Sequence, residues 1–152
     1  MNGAVRAVML DSGPLGLVSS PVRMAGAIAC LAWLASLEKA GITVYVPELA
    51  DYEVRRELLR AGKTASVARL DIMKSRAHYL PLTTPAMLMA AKLWAEARNT
   101  GRPTAGNSSL DADVILAAQA LALGVLGLVI ATSNPGHLSR YIPAQEWRQI
   151  NP

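Results

Sequence analysis

The sequence of 152 residues lacks phenylalanine and contains one cysteine, Cys30, and two histidines, His78 and His137. One cysteine cannot form an internal disulfide, so we expect a reducing compartment, the cytoplasm. The three side chains show no zinc-ligand spacing, which argues against a zinc site. Without phenylalanine, the hydrophobic 52% of the residues rests largely on Ala and Leu, which indicates a core of tightly packed helices.

Charge is also sparse. Charged residues make up 17% of the chain, and 15 Lys and Arg against 11 Asp and Glu leave a formal net charge of +4. This small excess permits a nucleic-acid partner without requiring one. The length is that of one globular domain, residues 1–152. The N-terminus lacks a basic region followed by an apolar one, so we expect no signal peptide.

An uncharged run, residues 114–135, is long enough to span a membrane and has to be explained. Gly124 and Gly127 interrupt it, and Val125–Ile130 is rich in β-branched residues. A buried helix, a tight turn and a buried strand explain the run better than a membrane helix does. We therefore expect no membrane partner.

Strand-like and helix-like patterns alternate along the chain. Apolar and β-branched runs predict strands at residues 4–10, 42–46, 80–82, 126–131 and 146–150. Helical patterns, with Ser20-Pro21 and Thr84-Pro85 as starts, predict helices at residues 21–39, 48–60, 64–78, 84–99 and 111–123. A turn is expected after Asp11 and a polar loop at residues 102–109. The alternation is typical of a three-layer α/β/α fold with a central parallel sheet of four to five strands.

Asp11 directly follows the buried run Val8–Leu10. In parallel sheets, ligands bind beyond the carboxyl ends of the strands. The turn at residues 132–134 follows another predicted strand, so we expect it at the same edge of the sheet. The alternative is that Asp11 only begins an Asx turn.

Three further acids are candidates to join Asp11: Glu53, Asp111 and Asp113. Clustered carboxylates repel one another and stay ionised at neutral pH only beside a cation, and their hard oxygens suit Mg²⁺ or Mn²⁺. Each acid also has an ordinary explanation. Glu53 could be a solvated residue among exposed ion pairs, and Asp111 and Asp113 could stabilise the first turn of a helix.

Four segments carry motifs at a recognisable order and spacing: Val8–Ser12, Tyr52–Leu58, Leu110–Ala118 and Val129–Leu138. Together they resemble PIN domains, in particular the VapC-like ribonucleases of bacterial toxin–antitoxin modules, and Trp147 fits an aromatic residue often found near the last strand. The resemblance implies a parallel sheet flanked by helices and an acidic site at its rim. It implies Mg²⁺- or Mn²⁺-dependent cleavage of RNA phosphodiesters, a homodimer and an antitoxin protein as partner.

In this resemblance, Asp11, Glu53 and Asp113 match the core acids, which are catalytic and bind the metal. Asp111 matches an adjacent acid that also binds metal in many members. Asn134 stands where other members often carry a fourth Asp, and an amide can coordinate metal or orient water but brings no charge.

Two hydroxyls, those of Ser12 and Thr132, are predicted to position water or metal beside Asn134. Glu48 is a second candidate for the helix acid because it directly follows the second predicted strand. Glu53 is preferred because residues 52–58 match the motif.

The expected reaction is in-line attack of a metal-activated water on phosphorus. RNA approaching an acidic pocket needs positive charge elsewhere on the rim. The predicted RNA-binding residues are Arg23, Arg55, Arg56 and Arg140, with Arg60 and Lys63 as further candidates.

Two other functions are open at this point. A PIN-like RNA-binding or scaffold domain with weak or no cleavage fits the missing fourth acid. A phosphatase of the haloacid-dehalogenase type would use Asp11 as nucleophile, but it would need an acid where Gly13 stands. The apolar segments Pro21–Lys39 and Met87–Trp94 are predicted to form a subunit interface.

Overall fold

The fold is built on one five-stranded sheet. We describe residues 3–100 and 107–152 of a computed structural model, with the backbone alone for residues 107–110. All pairings are parallel, in the order β3-β2-β1-β4-β5. The strands are β1 (Ala7–Leu10), β2 (Thr43–Pro47), β3 (His78–Leu80), β4 (Leu128–Thr132) and β5 (Ala144–Glu146). The predicted parallel sheet is confirmed.

Helices cover both faces of this sheet. They are α1 (Ser12–Ser19), α2 (Ala27–Lys39), α3 (Glu48–Arg60), α4 (Thr64–Arg76), α5 (Thr84–Asn99) and α6 (Asn107–Leu123). Two short 3₁₀ helices, Leu138–Arg140 and Trp147–Gln149, flank β5.

The alternation of side chains along β1 explains the three layers. Val8 and Leu10 pack into a core shared with α1, α2, α3 and α4. Ala7 and Met9 point to the opposite face, where they pack against α6. Because β1 is buried on both faces, its sequence is continuously apolar. The predicted α/β/α fold is confirmed.

The segment after Asp11 is a helix, so the predicted turn there is wrong. Asp11 caps α1 by accepting a 2.7 Å hydrogen bond from the backbone N–H of Ser12. Pro14 sits in the first turn of α1, where a missing N–H costs no intrahelical bond. The sequence did not indicate this helix, because its glycines and proline, Gly13, Pro14 and Gly16, are typical of turns.

The helix predicted at residues 21–39 begins six residues later. Gly26 precedes α2 with a left-handed φ of 83°, a conformation that favours glycine. The chain therefore turns between α1 and α2, and Ser20-Pro21 lies in that connection.

Other boundaries also differ. The helix predicted at residues 64–78 ends at Arg76, so the third strand lies at His78–Leu80 and not at the predicted residues 80–82. The backbone of α6 starts at Asn107, so residues 107–109 are helical and not part of the predicted loop; residues 102–106 of that loop lie outside the described part of the chain. Residues 147–149 form a 3₁₀ helix, because the Glu146 carboxylate caps the N–H of Arg148 and Trp147 is buried. The strand predicted at 146–150 therefore ends at Glu146.

The uncharged run folds as predicted. α6 ends at Leu123, Gly124 and Gly127 adopt left-handed φ values of 65° and 74°, and β4 begins at Leu128. None of the helices within the described ranges is long and apolar enough to cross a membrane.

Candidate metal centre

Asp11 lies where β1 ends and α1 begins. Its backbone N–H donates to the carbonyl of Ala131 on β4 at 2.9 Å, which extends the sheet by one residue. Its Oδ1 accepts from the Ser12 N–H at 2.7 Å, and its Oδ2 accepts from the Thr132 hydroxyl at 2.8 Å. Both oxygens of this half-buried carboxylate are therefore oriented by neighbours at the carboxyl edge of the sheet.

The turn after β4 supports that arrangement. The Asn134 N–H donates to Thr132 Oγ1 at 3.1 Å, so the hydroxyl accepts from the turn while it donates to Asp11. Thr132 is 2% exposed, which fixes its rotamer by packing. The Asn134 Oδ1 accepts from the Gly136 N–H at 3.3 Å. In this structure Asn134 orders the turn, and its predicted contact with metal or water remains a prediction.

Glu53 and Asp113 reach the same edge from α3 and α6. Burial raises the pKa of Glu53, and the negative charges of Asp11 and Asp113 raise it further, while Arg56 opposes them. The pKa of Asp113 is raised by burial and by Asp11, and lowered by His137. Because the charge of Asp11 acts on both groups and that of Asp113 acts on Glu53, the three half-buried carboxylates lie near one another at this edge of the sheet.

The donor chemistry of this cluster fits Mg²⁺ or Mn²⁺. The three side chains offer hard carboxylate oxygens, and their mutual repulsion is what a cation would relieve. Among the side chains that the structure describes, however, no group of three is close enough to hold one ion directly. Mg²⁺ usually keeps several waters and contacts one or two carboxylates, so the cluster fits a cation held partly through water.

The remaining predicted acids lie elsewhere. Asp111 is exposed and lines a cleft of about 380 Å³ with Met87 and Trp94 of α5. Glu48 accepts from the Tyr79 hydroxyl at 2.8 Å and from the Leu82 N–H at 2.9 Å, which ties α3 to the end of β3. The structure therefore brings Glu53, and not Asp111 or Glu48, together with Asp11 and Asp113.

The four arginines predicted to bind RNA have different surroundings. Arg55 forms ion pairs with Asp51 at 2.9 Å and with Asp71 at 2.6 Å, so its charge is already matched within α3 and α4. The guanidinium of Arg56 lies 5.2 Å from the centre of the Tyr52 ring, and its charge lowers the pKa of Glu53. Arg23 and Arg140 are exposed, in the α1–α2 connection and the first 3₁₀ helix.

Sequence reasoning missed His137 as a neighbour of the acids. Leu138, the next residue, packs on Leu116 and Ala117 of α6, one turn beyond Asp113 on that helix. This packing brings the half-buried His137 near the Asp113 carboxylate, whose pKa it lowers. The available signal was its position just before an apolar residue in the turn that follows a strand at the site.

A family model confirms the resemblance. The PIN domain model matches residues 24–140, about three quarters of the chain, so the protein belongs to the PIN-domain family. The match includes Glu53, Asp113 and the turn after β4, and it begins beyond Asp11. A search of the curated proteins by sequence found no match.

Solved structures confirm the VapC-like fold. A chain of VapBC2 from Rickettsia felis, bound to a DNA fragment from its promoter, matches with a TM-score of 0.71 and 18% identity, over 91% of this chain and 97% of that one. VapBC-1 from nontypeable Haemophilus influenzae matches with a TM-score of 0.66 and 19% identity, over 94% of this chain and 99% of that one. DNA-bound VapBC from Salmonella typhimurium matches with a TM-score of 0.60 and 20% identity, over 93% of this chain and 98% of that one.

Proposed function

We propose that this protein is a divalent-metal-dependent endoribonuclease and the toxin of a toxin–antitoxin pair. The observation that carries the proposal is the cluster of Asp11, Glu53 and Asp113 on three different elements, where burial and mutual repulsion raise the pKa of two members. Membership of the PIN-domain family supports nuclease chemistry, and the likeness to chains of VapBC complexes supports the toxin role.

The chain's own residues have distinct tasks in this proposal. Asp11, held by Ser12 and Thr132, would bind the cation in a fixed orientation, and Glu53 and Asp113 would bind it directly or through water. A bound Mg²⁺ or Mn²⁺ acidifies water and offsets the charge that develops on the phosphoryl oxygens. One of these carboxylates would also help to orient the attacking water. No side-chain nucleophile is needed.

RNA would approach along the α3 side of the site. Arg56 is exposed there beside Glu53 and offers a positive charge to a phosphate. Arg55 is less suited to this contact because it pairs with Asp51 and Asp71. Arg23 and Arg140 remain proposed backbone contacts. A cytoplasmic location, as the single cysteine suggests, would give access to RNA.

The partner proteins are also part of the proposal. Exposed aliphatic side chains on α2 and α5, Ile28 at 66% and Leu88 at 68%, are the kind of surface that a homodimer or an antitoxin would cover. A small reading frame beside the gene, encoding a DNA-binding domain with an amphipathic tail, would support the antitoxin. Growth arrest on expression, relieved by that neighbour, would support the toxin role.

The test is cleavage of single-stranded and structured RNA by purified protein with Mg²⁺, with Mn²⁺ and with EDTA. Asp11→Asn and Asp113→Asn should each lower the cleavage rate at least about 100-fold, since each removes one charge that binds the cation. Asp71→Asn is the matched control, because that carboxylate is 59% exposed and forms its ion pair with Arg55, away from the acid cluster. Cleavage that ignores EDTA, or that survives both site substitutions, would contradict the proposal.

A second function, an RNA-binding PIN-like domain without cleavage, is favoured by two observations. The described side chains include no group of three close enough to ligate one ion, and Asn134 adds no charge. This alternative predicts RNA binding that is unchanged by EDTA and no cleavage under any condition. Metal titration by calorimetry separates the two, because only the nuclease needs a cation bound at Asp11.

A further inference from the structure

A cleft lies between α1 and α3 on the outer side of Glu53. Its volume is about 460 Å³. Ser12, Gly13 and Gly16 of α1 line one wall, and Arg56 and Glu57 of α3 line the other with Glu53. The cleft therefore begins at the acid cluster and leads away from it.

The charges around this cleft favour a neutral polar ligand over a phosphate. Its wall carries two carboxylates, Glu53 and Glu57, and one cation, Arg56. Arg60 pairs with Glu57 at 2.8 Å, so the positive and negative charges around the cleft balance. A second phosphate would meet no net positive charge there. A nucleobase is neutral and carries donors on its edge, from which a carboxylate can accept.

Gly16 is the residue that the fold does not explain. It lies inside α1, where glycine lowers helix stability relative to alanine, and its φ is not in the left-handed region. A Cβ added there would meet only Val54 Cγ2, at an ordinary distance of 3.9 Å. What a side chain at Gly16 would remove is the open space of the cleft.

Gly13, by contrast, is required by packing. A Cβ there would lie 3.0 Å from Ser133 Cβ and still closer to Ser133 Oγ, in the turn that holds Thr132. The two glycines of α1 therefore have separate explanations, one in the fold and one in the cleft.

We infer that this cleft receives the base of the nucleotide next to the phosphodiester that is cut, and that it sets the sequence preference at that position. The inference rests on the proposed nuclease function. Bases of single-stranded RNA are free to leave the stack and enter such a cleft. Glu57 would accept from the base edge while Arg56 contacts the adjoining phosphate, and the missing side chain at Gly16 provides the room.

The test compares cleavage preferences, position by position, in a pool of short single-stranded RNAs with randomised sequence and added Mn²⁺. The variants are Gly16→Ala and Gly16→Met, and the control is Ala68→Met, which places the same side chain on an exposed site of α4. Binding of the preferred RNA in EDTA, by fluorescence anisotropy, gives a readout independent of cleavage. Circular dichroism and thermal melting check that each variant folds. If Gly16→Met does not fold, Gly16→Ala alone is compared with the wild type.

The wild type should show a preference at the nucleotide beside the cut. Gly16→Met should lower that preference about tenfold and weaken metal-free binding in parallel, because the contact with the base is lost. Gly16→Ala should lie between, other positions should keep their preferences, and Ala68→Met should behave as the wild type.

Three results would overturn the inference while leaving the nuclease function in place. They are no preference at the adjoining nucleotide in the wild type, the same preference in folded Gly16 variants, or an equal loss at every position. Absence of metal-dependent cleavage by the wild type would overturn the proposed function, and the inference with it.

Discussion

The Thr132 hydroxyl donates a 2.8 Å hydrogen bond to Oδ2 of Asp11 and so links the carboxyl ends of the neighbouring strands β4 and β1. Thr132 is almost fully buried and receives the Asn134 N–H on the same oxygen. With Ser12 holding the other carboxylate oxygen, Asp11 is fixed before any ligand arrives. Second contacts of this kind orient metal ligands in proteins generally.

Thr132→Val should therefore impair the site while preserving the shape of the strand end. Removing the hydroxyl leaves Asp11 Oδ2 and the Asn134 N–H without this partner, so we expect about a 10- to 100-fold loss of Mn²⁺ affinity or cleavage rate. Calorimetric titration with Mn²⁺ measures the affinity independently of activity. Thr132→Ser keeps the hydroxyl and should retain most of the Mn²⁺ affinity and cleavage rate. An equal loss in both variants would show that the packing of the Thr132 methyl group matters, and not the hydrogen bond.

The raised pKa of Glu53 predicts how stability depends on pH. In the metal-free protein the folded-state pKa lies above the ordinary value of 4.5, so the folded state binds this proton more tightly than the unfolded state does. The contribution of Glu53 to the free energy of unfolding is therefore full below pH 4.5 and is lost as the pH rises through the folded-state pKa. Asp113 acts in the same direction from its ordinary value of 3.8.

Glu53→Gln should remove this penalty. In EDTA, the variant should melt above the wild type at pH 7, and the difference should shrink towards pH 4. Adding Mg²⁺ should raise the melting temperature of the wild type more than that of the variant, because a ligand that binds the folded state stabilises it. A wild type that is insensitive to Mg²⁺, with a variant that melts no higher at pH 7, would argue against a shared acidic site.

Arg55 and Arg56 are neighbours in sequence with opposite expected phenotypes. Arg56→Ala should weaken RNA binding and lower the salt slope of the binding constant by about 1, as the loss of one phosphate contact does. Arg55→Ala should leave that slope unchanged and lower the free energy of unfolding by about 1–2 kcal/mol, because the nearly buried Asp51 loses one of two cationic partners. Salt-dependent anisotropy and urea unfolding measure the two effects. Equal salt slopes for both variants would show that α3 does not contact RNA through Arg56.

The sequence predicted the structure best at positions where a single physical rule decides the conformation. Continuous burial made β1 readable, and Gly124 and Gly127 marked the turn between α6 and β4. The convergence of strand ends predicted that Asp11 and Thr132 would meet. Motif order selected Glu53 over Glu48, and the structure shows Glu48 engaged with Tyr79 and Leu82.

The sequence failed where two rules compete. Asp11 serves as a helix cap and as a site residue, and Gly13 and Pro14 suggested a turn although the first helical turn tolerates both. Asp111 and Asp113 are two residues apart in α6 and therefore lie on different sides of the helix. The sequence could not show which of them faces the site, because the predicted start of the helix was four residues too late. The position of His137 near Asp113 depends on the packing of Leu138, which the sequence signals only as an apolar residue in the turn after β4.

The glycines of α1 provide the last prediction, because alanine at each should change stability in opposite directions. Gly16→Ala should raise the free energy of unfolding by about 0.5–1 kcal/mol, since there is room for Cβ and a helical glycine is entropically costly. Gly13→Ala should lower it by about 1–3 kcal/mol, because its Cβ overlaps Ser133 Oγ and lies 3.0 Å from Ser133 Cβ, so that side chain or the turn must shift.

Urea unfolding of both variants tests this, and Ser133→Gly is the matched second change. It removes the side chain that Gly13→Ala meets, so the double variant Gly13→Ala, Ser133→Gly should recover most of the lost stability and, with the turn back in place, the Mn²⁺ affinity. Recovery of stability without recovery of affinity would mean that Ser133 itself serves the site. No recovery of either would mean that the backbone of the turn, and not its side chain, sets the spacing between α1 and Asp11's partner Thr132.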